Sequence, residues 1–152
     1  MRTGCPWRYL PVDFQRWNRR GVTQRLFDEL CEQVRIAQGR APQPTAALID
    51  SQSVRAADTV NRDTRGYDAD KKTNGRKRFI VADTLGLLIT VMVVAASVQH
   101  LLGAKAALLG MYLATPARLV FADAGFTGKL VDWTCTILAT TLHIMTTPAD
   151  HK

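Results

Sequence analysis

Residues 76–96 read RKRFIVADTLGLLITVMVVAA. Two apolar runs, Arg76–Asp83 and Leu87–Ala96, flank the turn-forming Thr84-Leu85-Gly86. Both runs are rich in the Ile, Val and Phe that suit a pleated backbone, and so short a Gly-containing link predicts an antiparallel hairpin. Upstream, Ala46–Val54 (AALIDSQSV) reads as a further strand. Ala56–Asn74 is polar, carries both charge signs and reads as a surface excursion. Downstream, Gly103–Leu113 is rich in Ala, Leu and Met and reads as a helix that Pro116 ends. Arg118–Ala122 (RLVFA) is a fourth strand closed by Asp123-Ala124-Gly125. Gly128–Leu138 is a second helix with Leu130 and Trp133, and Thr140–Thr147 supplies a fifth strand. The order β–β–β–α–β–α–β predicts an α/β fold: a mixed sheet of three antiparallel strands followed by alternating helix and strand.

The same region raises a competing reading. Thr84–Ala104 contains no Asp, Glu, Lys or Arg, and about 20 residues reach the length of a membrane-spanning helix. Gly86, Ser97, Gln99 and His100 interrupt it, however. A buried strand running into a helix accounts for the same letters better, so no membrane partner is expected.

The chain has 152 residues, 47% hydrophobic and 22% charged, which suits a folded domain rather than a disordered chain. Lys and Arg number 20 against 13 Asp and Glu, a net charge of +7. A domain this basic points to nucleic acid or another anionic surface. Cys5, Cys31 and Cys135 are not in metal-binding pairs; they fit a reducing cytoplasm rather than a disulfide scaffold. Arg2 has no apolar run behind it, so the start does not read as a signal peptide. Residues 1–40 read as helical: an aromatic start of Trp7, Tyr9 and Leu10 leads to Phe14, Trp17, Val22, Leu26, Leu30 and Val34 at helical spacing. Arg16, Arg19, Arg20, Arg25 and Arg35 stand between them. Residues 41–45, with Pro42 and Pro44, read as a linker to a second region, 46–152.

Two features could carry chemistry. Asp50 lies inside the first apolar strand, where a carboxylate is costly unless paired or bound to a cation. Asp123 ends the fourth strand. If those strands are neighbours the carboxylates converge, and two hard oxygen donors suit magnesium or manganese. The second feature is the cationic stretch Arg55–Arg78, with eight cations and four acids. Within it Arg65, Lys71, Lys72, Arg76, Lys77 and Arg78 are candidates to meet a phosphate backbone. His100, His143 and His151 are scattered and at no zinc spacing. Ser51 and Ser53 have no base near them in sequence, and Asp83 is placed to cap the hairpin turn.

The stretches RTGCPWRYLP (2–11), RWNRRGVTQRLFDEL (16–30), LIDSQSV (48–54), RGYDADKKTNGRKRFIVADTLGLL (65–88) and VFADAGFTGKL (120–130) resemble bacterial insertion-sequence transposases of the DDE type. That resemblance implies a ribonuclease H-like catalytic core over 46–152. It makes 1–40 the remnant of a helical DNA-binding region. It implies cleavage and transfer of double-stranded DNA at terminal inverted repeats with Mg2+ or Mn2+, in the bacterial cytoplasm on the nucleoid, by a homo-oligomer or beside a full-length transposase. Asp50 matches the first catalytic aspartate of the family. Asp123, in the pattern made with Gly125, Phe126 and Gly128, matches the second. The departures matter equally. The family's third carboxylate is a glutamate in a later block, whereas the glutamates here are Glu29 and Glu32. Asp132 and Asp150 follow Asp123, but in no matching motif. Pro11 is followed almost at once by Arg16-Trp17, and His100-Leu101-Leu102-Gly103 replaces a charged Asp-Arg-Asp-Gly turn. The expectation is a C-terminally incomplete transposase, inactive as it stands. The alternative is a DNA-binding module without catalysis, able to inhibit a full-length transposase.

Overall fold

The computed structural model describes residues 10–57, 64–69 and 71–145. The aromatic start at Trp7 and Tyr9, Arg62, Asp150 and His151 lie outside them. The chain divides into two compact units, residues 1–43 and 44–152.

The first unit is a helical hairpin, α1 (Leu10–Arg19) and α2 (Val22–Ala37). Gly21, at φ +66°, turns the chain between them, a conformation that favours glycine. Asp13 pairs with Arg16 at 3.0 Å on α1. One arginine of this unit, Arg35, is buried, and its Nε donates to the Ala41 carbonyl at 2.8 Å.

The second unit holds β1 (Ala46–Arg55), β2 (Gly66–Asp68), β3 (Thr73–Asp83), β4 (Leu88–Ala95), α3 (His100–Ala114), β5 (Leu119–Ala122), α4 (Lys129–Leu138) and β6 (Thr141–Ile144). The strands form one mixed sheet in the order β2-β3-β1-β5-β6, with β4 also paired to β3. β1, β3 and β4 are antiparallel in series, and β5 and β6 run parallel to β1. This is the ribonuclease H-like arrangement that the resemblance implies. Asp83 caps the β3–β4 turn as expected: its Oδ1 accepts from the amides of Leu85 (2.8 Å) and Leu87 (2.9 Å). The apolar stretch 84–104 is divided among that turn, β4, a short connection and the first turns of α3. Among the described residues no helix is long and apolar enough to cross a membrane.

Strand alternation places Ala47 and Ile49 of β1, Phe79 and Val81 of β3, Val120 of β5 and Leu142 of β6 in one buried core. Helix α3 covers it with Ala104, Ala107, Leu108 and Met111, and α4 with Leu130 and Leu138. Full burial of a Leu, Val or Phe side chain stabilises by about 1.5–3 kcal/mol, so this layer dominates the stability of the unit. Close approach depends on Gly103: a Cβ there would lie 2.0 Å from the Phe79 ring.

One element escaped the sequence and another starts earlier than read. β2 lies inside the segment read as an excursion; three residues are too few to show alternation. Helix α3 begins at His100 rather than Gly103, because Gln99 takes the extended cap conformation and the amides of Leu102 and Gly103 bond back to its carbonyl.

Candidate active site

β1 and β5 are parallel neighbours with Ile49 opposite Ala122. The next residues are Asp50, midway along β1, and Asp123, directly after the end of β5, so two carboxylate-bearing positions sit side by side where the shorter strand stops. Neighbouring strands lie about 4.8 Å apart. Such strand ends are where open α/β sheets bind ligands. Both aspartates are exposed. Alternation sets Asp50 with Leu48, Gln52 and Val54 on the sheet face opposite α3.

Local hydrogen bonds orient each carboxylate. Asp50 Oδ1 accepts from the Ser51 amide at 2.7 Å and Oδ2 from Gln52 Nε2 at 3.1 Å. Gln52 Oε1 in turn accepts from Arg78 Nε (3.0 Å) and Nη2 (2.7 Å). A cation is thereby linked to the Asp50 carboxylate through one amide side chain. Asp123 caps a single 3-10 turn, Ala124–Phe126, and its Oδ1 accepts from the Gly125 amide at 2.9 Å.

On the covered side of the sheet at the same level lies a residue that sequence reading set aside. His100 stands at the start of α3 with its ring between Phe79 (centroids 5.2 Å) and Phe126 (4.5 Å). Its Nε2 shares a 3.0 Å hydrogen bond with Ser51 Oγ. Burial is the main cause that lowers the His100 pKa, with Lys77 and Lys71 acting the same way; Asp123 and Asp68 oppose them. The ring is therefore held toward its neutral form. Ser51 does have an imidazole beside it, 49 residues away in sequence, a separation that no local pattern can reveal.

The cationic candidates divide. Lys77 points into the covered face, is 8% exposed and pairs with the buried Asp68 at 3.2 Å. Ser53 Oγ also donates to Asp68, at 2.5 Å. These hydrogen bonds and the Lys77 charge outweigh burial and bring the Asp68 carboxyl down to about 2. Lys77 thus departs from its expected place among surface cations: period-two alternation turns it away from Arg76 and Arg78. Those two arginines are exposed on the open face and, with Arg55, Val54 and Val93, border a cavity of about 300 Å³. Lys71 and Lys72 are exposed at the β2–β3 turn, and Lys71 Nζ donates to the Ser51 carbonyl at 3.4 Å. Arg65, directly before β2, is partly buried.

The sequence matches the transposase DDE domain family over residues 41–139, a span that contains the strand pair and both aspartates. The chain belongs to the DDE transposase family. No curated protein matches it.

Transposases of this family generally use divalent metal ions. Asp50 and Asp123 suit such an ion in part: they are hard oxygen donors on adjacent strands, each with coordination sites beyond its backbone hydrogen bond. No group of three or more His, Cys, Asp or Glu that could hold a metal ion occurs among the described residues. Asp132 lies in the first turn of α4 and forms no such group with the pair.

Proposed function

We propose that this chain is an insertion-sequence DDE transposase, or a fragment of one, that engages double-stranded DNA at transposon ends and does not cleave it unaided. The juxtaposition of Asp50 with Asp123 carries the reading. In it, residues 1–40 are the remnant of a DNA-binding region, 41–45 a linker and 46–152 a partial catalytic domain. The two carboxylates hold Mg2+ or Mn2+. Such an ion, when bound, supplies Lewis-acid stabilisation of charge at a phosphodiester. Gln52 and the local amides fix the carboxylates in place. Arg78, linked to Asp50 through Gln52, and Arg76 further along the same face, with Arg65, Lys71 and Lys72, draw in the phosphate backbone. Lys77 serves the fold instead, through Asp68.

Two carboxylates leave most of an octahedral shell to water, so one ion is held weakly. No third carboxylate joins the pair among the described residues; going without one costs several kcal/mol of transition-state stabilisation, and each ~1.4 kcal/mol is tenfold in rate, so about three decades or more are lost. The test incubates the chain with Mg2+ and DNA ending in the inverted repeats of its own element, followed by a denaturing gel. Salt-sensitive binding without nicked or joined products is expected. Products that disappear in Asp123→Ala would overturn the inactivity, and binding insensitive to salt would overturn the proposed DNA contacts.

A further inference from the structure

We propose that His100 is a positioning residue that sets the two carboxylates against each other. The inference rests on the metal-binding reading of Asp50 and Asp123 given above. Its own basis is a pair of contacts made by one ring. Through Nε2, His100 reaches Ser51 Oγ at 3.0 Å, and the Ser51 amide is the donor that Asp50 Oδ1 accepts at 2.7 Å. The ring also packs, tilted, against Phe126 with centroids 4.5 Å apart, and Phe126 closes the 3-10 turn that Asp123 caps. The Phe126 amide bonds to the Asp123 carbonyl at 3.2 Å, and Phe126 is 1% exposed, so its ring cannot shift without moving that turn. One side chain therefore braces the middle of β1 and the turn that follows β5 at once.

The brace is itself well fixed. Phe79, fully buried, packs on the ring from β3 at 5.2 Å. One turn further along α3, Gly103 lets the helix come down on that same Phe79 ring, where a Cβ would lie at 2.0 Å. Helix α3 is thus seated so that its first residue reaches across β3 to β1. A purely apolar residue at position 100 would fill the space between Phe79 and Phe126 but could not hold Ser51.

Manganese titration tests this, with affinity read by electron paramagnetic resonance of free Mn2+ in the absence of DNA. Replacing groups that orient ligands generally costs about 10–100-fold in metal affinity, and about tenfold or more is expected for both His100→Ala and Ser51→Ala. Ser51→Ala removes a single oxygen atom, so it keeps the test alive if His100→Ala folds poorly. His100→Gln, whose amide can still reach Ser51, should recover the affinity to within about threefold of the unaltered chain. Amide hydrogen exchange without metal gives a second readout: the amides at positions 51 and 125, which hold the two carboxylates, should exchange faster in both Ala variants. If the unaltered chain binds Mn2+ and the Ala variants bind it equally well, the positioning role is overturned while the carboxylate site stands. A loss in His100→Ala that Ser51→Ala does not share overturns it too. If the unaltered chain binds no Mn2+, the metal reading itself fails, and the role of His100 toward it falls with it.

Discussion

On β1, Ala47 and Ile49 are buried, while Leu48 at 46% and Val54 at 45% exposure face outward beside Asp50 and Gln52. On β3, Phe79 and Val81 are buried; Arg76 and Arg78 are exposed. The two faces of this sheet are thus built from alternate residues of the same strands and do different work. The face under α3 and α4 is fixed by apolar packing. The opposite face carries a carboxylate, an amide, two arginines and unburied aliphatics such as Val91 and Val93. Because the side-chain period is two, a slip of one residue would exchange the faces. Lys77 shows how strict this is: between two surface arginines in sequence, it lies inside with Asp68.

The largest expected effect separates the faces by stability. Phe79→Ala should cost about 3–5 kcal/mol in urea denaturation, because Phe79 is fully buried against α3. Val93→Ala, at 52% exposure on the open face, should cost well under about 1 kcal/mol. A Val93→Ala penalty as large as that of a core truncation would break the comparison and mean that this face is packed in solution.

Next in size is the polar end of the covered face. Lys77→Met leaves the Asp68 carboxylate buried without its cation, and breaking such a pair costs about 3 kcal/mol or more. Replacing both, Lys77→Met with Asp68→Leu, should restore part of that stability. Arg78→Met on the other face should stay within about 0.5 kcal/mol. Equal penalties for Lys77→Met and Arg78→Met would refute the assignment of these neighbours to opposite faces.

DNA binding should invert that ranking. Each phosphate neutralised contributes about 0.9 to the slope of log affinity against log salt. Arg76→Ala with Arg78→Ala should therefore flatten the slope by about 2, whereas Lys77→Ala should leave it unchanged in samples shown to be folded. A slope that responds to Lys77 as it does to the arginines would move the interface to the covered side.

The sheet was legible because its signals are local. Apolar runs, Gly86 in the hairpin turn and the apolar α3 each lie within one stretch of chain, and the strand and helix boundaries inferred from them agree with the structure to within a few residues. The placement of Asp50 and Asp123 on neighbouring strands was legible for the same reason: Asp50 lies inside one readable strand and Asp123 directly follows another. The polar partners were not. Ser51 and His100 are 49 residues apart, Ser53 and Asp68 are 15 apart, and each pair forms only after strands and helix are assembled. β2 hid in a polar segment because three residues carry no period. The orientation of Lys77 was available in principle, since alternation from buried Phe79 already turns it inward, but the run of three cations masked that signal.

The smallest effect is the acid limb of the stability curve, and it too reads the covered face. Asp68 is 4% exposed, and its carboxyl lies at about 2 in the folded chain against 3.8 ordinarily. The hydrogen bond from Ser53 is the main cause, joined by the Lys71 amide and by Lys77. The unfolded chain therefore takes up the proton first as pH falls. The stability this group contributes is fully present above about pH 3.8 and drains away between there and about pH 2. Urea denaturation at successive pH values across that window should show the midpoint falling. In Asp68→Asn the fall should be shallower, because one proton fewer is taken up on unfolding. Ser53→Ala should move the limb toward higher pH, since the leading stabiliser of the charged form is gone. An acid limb unchanged in both variants would mean that Asp68 is not held ionised by this network, and that Lys77 owes its inward position to packing of its aliphatic stem rather than to its charge.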